Sequence, residues 1–240
     1  ARLPLRITFR EFRMFESVKV GGRGVSKVLV LGMFKGEDLD KTSRGRDSDK
    51  RVVEATKRGE ATGDLGAIVE AFPGKGDFER VIVVGLGDKE GFEVGRLRTA
   101  GAAVAKRLSG VKEGACTVDL SGPMKAKRVK GRDAGVAFGE GVGLAAWSSE
   151  EFRGSATTAK KYKALSLKCE DKEFADGMGF GLALAEGGNE ARTVSNTPPN
   201  ICTPAWLAER AKKMGKELGL KVKVFQGAEI EKERFEGLIN

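Results

Sequence analysis

Apolar and polar positions alternate along this chain in blocks that predict a mixture of strands and helices. Lys27–Phe34 (KVLVLGMF) and Arg80–Gly87 (RVIVVGLG) are nearly unbroken apolar runs of strand length, the pattern of strands buried on both faces. Met14–Val20, Leu65–Phe72, Cys116–Leu120 and Tyr162–Lys168 are further strand candidates, the second closed by a Pro73-Gly74 turn. Between them the period lengthens to that of helices. Leu97, Ala100, Gly101, Val104, Ala105 and Leu108 share one helical face, and Val52, Val53 and Ala55 suggest a shorter helix. Residues 132–147 read as a helix with Gly135, Gly139 and Gly143 four apart, a spacing that lets a helix lie close on a sheet. A helix from about Glu173 carries Phe174, Met178, Gly181, Leu182 and Ala185 on one side. Strands alternating with helices in this way make an α/β fold.

That last helix runs into Asn196-Thr197-Pro198-Pro199-Asn200. Two consecutive prolines remove two N–H donors and push each preceding residue toward extended geometry, so the helix stops there. Thr203-Pro204 then reads as an N-cap followed by proline at the first helical position. The next helix, 204–218, carries Leu207, Ala211, Met214 and Leu218 and ends at Gly219. Residues 221–225 (KVKVF) predict a strand, Ile230 lies in a short acidic helix, and Leu238-Ile239-Asn240 looks like the start of another strand.

The run from Ala191 to Asn200, followed by Thr203-Pro204, resembles the interdomain junction of the leucine aminopeptidase family, the hexameric two-metal exopeptidases. The GLG turn at 85–87 and the 100–108 stretch (AGAAVAKRL) resemble that family as well. The resemblance covers residues 14–240. It implies a macro-domain-like mixed sheet flanked by helices over 14–168, a connecting helix over 173–197, and the first βα elements of the catalytic domain over 198–240. Asn196, Thr197, Pro198, Pro199 and Asn200 would be the interdomain hinge. Residues 1–13, with four arginines, match nothing in the family and are read as a gene-start artefact preceding Met14.

Composition narrows the chemistry. The chain has no histidine, which removes the commonest metal ligand and the commonest general base. Its three cysteines, Cys116, Cys169 and Cys202, are far apart and spell neither a disulfide framework nor a metal site, which suits a reducing compartment. No apolar run approaches the roughly 20 residues of a membrane span. In the family, the two cations are held in motifs resembling VGKGxTFDSGG and NTDAEGR, and neither occurs in these 240 residues. No catalytic or metal-binding residue is therefore assigned to this chain. Two divalent cations, zinc or manganese, are expected in the parent enzyme, along with a peptide substrate, a homohexameric assembly and a cytoplasmic location. The acidic clusters at 37–40, 170–173 and 229–233 read as helix starts and surfaces.

A net charge of +9, from 43 Lys and Arg against 34 Asp and Glu, keeps a second class open: a nucleic-acid- or nucleotide-binding macro-like module without catalysis. The densest basic cluster is Lys125, Lys127, Arg128, Lys130 and Arg132, in a stretch that reads as a loop, and weak DNA binding is its expected limit. The Gly85-Leu86-Gly87 turn does not complete a dinucleotide fingerprint. Its third glycine is one place late, and Asp88 and Glu90 would repel a phosphate.

Overall fold

The computed structural model describes residues 14–22, 26–149 and 162–239. The reading of residues 1–13 falls outside them. Six strands form one sheet in the order β1-β6-β5-β2-β4-β3: β1 Ser17–Val20, β2 Val28–Met33, β3 Ile68–Ala71, β4 Arg80–Gly85, β5 Ala115–Asp119 and β6 Ala164–Lys168. All neighbours are parallel except β3, which runs antiparallel to β4. The sheet is thus mixed, with one antiparallel edge strand.

The unbroken apolar runs are explained by layers on both faces. Along β2, Val28 and Val30 enter one core, while Leu29, Leu31 and Met33 enter the other; β4 divides Ile82 and Val84 from Val81 and Val83 in the same way. The larger core is closed by α3 Arg96–Ser109, α4 Ser121–Ala126, α5 Gly131–Ala146 and α6 Lys172–Asn196, through Leu97, Met124, Phe138 and Phe174 among others. The smaller is closed by Leu39, just before α1 Lys41–Gly45, and by Val52 and Ala55 of α2 Arg51–Thr56.

Helix α1 has no apolar period and was not expected. Its start is made by Asp40, whose carboxylate accepts hydrogen bonds from the N–H groups of Thr42 and Ser43 at 2.8 and 3.1 Å.

The glycines of α5 do not serve the sheet, contrary to the expectation from their spacing. They face α6. A methyl group on Gly135 would collide with the Phe174 carbonyl, one on Gly139 with the Met178 backbone, and one on Gly143 with the Ala185 side chain. α6 answers with Gly177 and Gly181, which abut the carbonyls of Arg132 and Val136, and Phe138 meets Phe174 at 6.0 Å between ring centres. On the other flank Gly141 lies against Arg98 of α3 and Gly101 against Phe138. Three helices therefore approach backbone to backbone.

On α6, burial pushes the Glu186 carboxyl up to about 7. Its folded value lies above the ordinary 4.5, so the folded state holds the proton more tightly. The associated stability is fully present below pH 4.5 and is lost as pH rises through 7. Solvent screening of this half-buried group reduces the effect to about 1 kcal/mol. Glu186→Gln is expected to flatten the fall in unfolding free energy across that window, and an unchanged slope in urea titrations would contradict the assignment.

The described residues divide into two compact units, 14–193 and 194–239. In the second, α7 Pro204–Leu218 begins and ends as its sequence predicts: Thr203 Oγ1 accepts from the Trp206 N–H at 3.3 Å, and Gly219 takes the left-handed conformation at φ 68°. Two expectations are corrected here. Residues 221–225 form no strand, because a strand needs a hydrogen-bonding neighbour and none pairs with them among the described residues. They fold back instead, with Val222 over Gly215 of α7 and Phe225 against Phe235 at 5.2 Å. Leu238 and Ile239 lie in a short helix, α9 Glu236–Ile239, which follows α8 Ala228–Lys232; Asn240 lies outside the described residues.

Candidate functional site

The hinge is built by the end of α6 and the turn that follows. α6 ends at Asn196, where the Thr197 N–H closes on the Val194 carbonyl at 3.2 Å. Pro198 can donate nothing, but its carbonyl accepts from the N–H groups of Ile201 and Cys202 at 2.9 and 2.8 Å. Thr203 N–H then reaches the Ile201 carbonyl at 2.7 Å, immediately before α7. The prolines fix φ while the Pro198 carbonyl holds the turn, so the segment is stiff without regular structure.

Just upstream, the last turns of α6 are pinned to the end of α5. Trp147 Nε1 donates to Thr193 Oγ1 at 3.2 Å, Asn189 Nδ2 donates to the Gly143 carbonyl at 2.9 Å, and Arg192 donates to the Leu144 carbonyl at 2.9 Å. The Arg192 guanidinium also covers the Trp147 ring at 4.0 Å. No local pattern marks this clamp, because its four side chains come from segments some 46 residues apart.

The basic cluster is not a plain loop. Lys125 ends helix α4, Arg128 adopts φ 51° in the turn, and Lys130 and Arg132 flank the start of α5 at Gly131. The helix was hidden by Pro123, which falls in its first turn, where proline is tolerated. Lys125, Arg128, Lys130 and Arg132 are exposed and Lys127 is half-buried. Among the described residues none of the five forms an ion pair.

Two cavities open at the carboxyl ends of the parallel strands, where α/β sheets place their ligands. One, of about 320 Å³, is lined by Arg46, Asp119, Ser121, Cys169 and Glu170 among others; the second, of about 380 Å³, by Phe34, Glu37, Asp38, Arg44 and Lys89. Most of their charged groups serve the fold. Arg46 donates to Asp119 at 3.0 Å and to Glu170 at 2.7 Å, Asp119 accepts from Ser121, and Lys89 pairs with Glu37 at 2.7 Å. Asp171 caps α6 by accepting from the Phe174 N–H at 3.0 Å. The acidic clusters at 37–40 and 170–173 are thus largely helix caps and ion-pair partners. In the third, Glu233 lies 3.7 Å from Lys223.

Burial pushes the Cys116 thiol up to about 12 and the Cys169 thiol up to about 11, so both stay protonated and unreactive near neutral pH. Among the described residues no group of three His, Cys, Asp or Glu side chains could hold a metal ion. The residues present do not fit a two-cation centre, and no metal-dependent step is derived from them. The glycine turn after β4 is knitted into the fold rather than open to a phosphate: Gly87 N–H donates to the Gly63 carbonyl at 3.0 Å and Lys35 N–H to the Gly87 carbonyl at 3.0 Å. Among the described residues no helix is long and apolar enough to cross a membrane.

The profile of the N-terminal domain of the cytosol aminopeptidase family matches residues 30–156, and that of its catalytic domain matches residues 189–240. The chain belongs to the cytosol aminopeptidase family. A probable cytosol aminopeptidase of Azoarcus sp. is 32% identical over 224 residues, covering 85% of this chain and 43% of the relative. One from Rhodococcus opacus is 30% identical over 228 residues, covering 88% and 42%. The chain thus spans less than half the length of these relatives.

Among solved structures, a tomato leucine aminopeptidase variant superposes with a TM-score of 0.65 at 22% identity, covering 83% of this chain and 42% of that one. The bottromycin maturation enzyme BotP gives 0.63 at 22%, covering 87% and 41%. At that identity the two structures establish the fold. BotP has also been solved in complex with Mn.

Proposed function

We propose that these residues are the N-terminal portion of a metal-dependent leucyl-aminopeptidase-type exopeptidase that removes N-terminal amino acids from peptides. In this reading 14–168 is the macro-like N-terminal domain, which makes oligomer contacts and covers the active-site cavity; 173–197 is the connecting helix and 198–240 opens the catalytic domain. The observation that carries it is the match of the catalytic-domain profile from residue 189, across the proline hinge. The parent enzyme is cytoplasmic and homohexameric, and two divalent cations, zinc or manganese, are held by the region that follows in the relatives. Such cations supply a water of lowered pKa and a Lewis acid for the scissile carbonyl. The part of this chain is structural: the end of α6 is clamped to α5 through Trp147 and Arg192, and the proline turn at Asn196–Asn200 leads into the catalytic domain.

The test is a chimera in which residues 1–240 are joined to the remaining part of the Azoarcus relative. It is expected to release N-terminal leucine from peptides in a metal-dependent way and to lose that activity with a chelator. A chimera that folds and binds manganese yet hydrolyses no peptide would overturn the reading.

The exposed cations of the α4–α5 turn support only weak, non-specific contact with DNA phosphates. Such contact should fall steeply between low and physiological salt. A salt-resistant, sequence-selective complex in a gel-shift titration would promote the nucleic-acid reading over the peptidase one.

A further inference from the structure

The cavity of about 380 Å³ lies where the connections of two neighbouring strands part. β2 leads through α1, α2 and β3 to β4 on one side, and β5 leads through α4 and α5 to β6 on the other. The crevice between two such strands is where open α/β sheets receive small molecules. The end of β2, the segment before α1, and α4 all contribute to its lining. Its volume falls within the roughly 300–1,000 Å³ of small-molecule pockets.

Five charged side chains among the described residues line it: Glu37, Asp38, Asp40, Arg44 and Lys89. Three of them are engaged inside the chain. Lys89 Nζ donates to both oxygens of Glu37, at 2.9 and 2.7 Å. Both oxygens of Asp40 are occupied at the start of α1, Oδ1 by the N–H groups of Thr42 and Ser43 and Oδ2 by the Ser43 hydroxyl at 2.6 Å. One carboxylate, Asp38, and one guanidinium, Arg44, remain. Among the described residues neither side chain forms an ion pair or a hydrogen bond. The other cavity differs on this point, since its Arg46, Asp119 and Glu170 are paired and its Asp171 caps α6.

Two opposite charges that line one cavity without neutralising each other suit a guest that carries both. A plain anion or a plain cation would satisfy only one of them. The remaining lining includes Met33, Phe34, Leu39 and Pro123, all buried, and favours an apolar side chain on the guest. We propose that this cavity binds a small zwitterion, a free amino acid or short peptide with apolar side chains, its ammonium on Asp38 and its carboxylate on Arg44. Charge-assisted hydrogen bonds are about twice as strong as neutral ones, and the guanidinium fork matches a carboxylate. The site goes beyond the peptidase reading, under which such molecules are the products and substrates of the parent enzyme.

The experiment titrates the full chain with L-leucine, followed by calorimetry and by amide NMR. Saturable binding is expected, with shifts at residues 34–44 and at Lys89. Leucinamide lacks the carboxylate and N-acetylleucine lacks the ammonium. Each is expected to bind at least about tenfold more weakly, the usual worth of a hydrogen bond to a charged group. Arg44→Gln should weaken leucine to the level of leucinamide and leave leucinamide unchanged. Asp38→Asn should do the same with respect to N-acetylleucine. A variant that merely disturbed the fold would weaken all three ligands together. Leucylleucine carries the same two charges farther apart, and the tighter of the two zwitterions identifies the natural guest as amino acid or peptide.

No saturable binding of either zwitterion at millimolar concentration would overturn the proposal. So would binding to which both variants are indifferent, or leucinamide bound as tightly as leucine. None of these results touches the peptidase reading, because the titration requires no turnover. An inactive chimera would likewise leave the titration unchanged.

Discussion

Replacing Gly139 with leucine is expected to destabilise the fold by roughly 3 kcal/mol, the upper end of the usual cost of overpacking. The position lies in the middle of α5, where any Cβ collides with the backbone of Met178 in α6. Backbone cannot rotate away as a flexible side chain can, so the helices must separate. Separation would also loosen Phe138 from Phe174 and open the larger core that both helices close. Leucine's higher helix propensity returns about 1 kcal/mol, too little to change the sign. Gly179→Ala is the control, because that glycine is helical, on the outer side of α6, and has open space beyond it. It should stabilise the isolated protein by a few tenths to 1 kcal/mol. Urea unfolding of the two variants therefore gives midpoint shifts of opposite sign. Equal and small shifts would mean that α5 and α6 do not approach as closely as described.

That pair of glycines also shows where sequence reasoning ended. The period of α5 and α6 was legible because buried side chains recur at helical spacing, and their glycines were visible as a row. Which element the row faced was not, because a glycine has no side chain to report its neighbour. The sheet was legible for a related reason: β2, and β4 after Arg80, carry no polar side chain, which requires cover on both faces. The turn of the chain at 196–204 was written in Pro198, Pro199, Thr203 and Pro204, each acting through its own backbone.

What failed to show depends on contacts between distant residues. Helix α1 rests on the Asp40 cap and not on a hydrophobic period. The 221–225 segment alternates as a strand should, yet its conformation is set by whether a neighbouring strand is present, which no local pattern can state. The Trp147–Thr193 clamp brings together polar groups that have no relation in sequence. The candidate site divided along the same line, since the hinge was readable residue by residue while the clamp on the end of α6 was not.

Purified by itself, the 240-residue chain is expected to release no leucine from a leucyl anilide, even with zinc or manganese supplied. Peptide hydrolysis by two-metal enzymes depends on a metal-bound water and a polarised carbonyl, and both vanish with the ligands. The chain has no histidine, the family's two metal motifs do not occur in it, and among the described residues no donor set converges. The Cys116 and Cys169 thiols cannot replace the missing nucleophile, because burial keeps both protonated. The two cavities cannot replace it either. Arg46, Asp119 and Glu170 are engaged with one another, and binding a substrate without favouring its transition state leaves the rate unchanged. Enzymes of ordinary efficiency accelerate their reactions by at least about a million-fold, so the difference between a centre and no centre is read easily against the spontaneous rate. Metal analysis after dialysis should likewise find less than one equivalent per chain. Enzyme-like turnover, with contaminating aminopeptidases removed and the activity following this protein through a second column, would show that the chemistry resides in these residues. It would also place the catalytic groups on the N-terminal side of the region that the proposed function makes responsible.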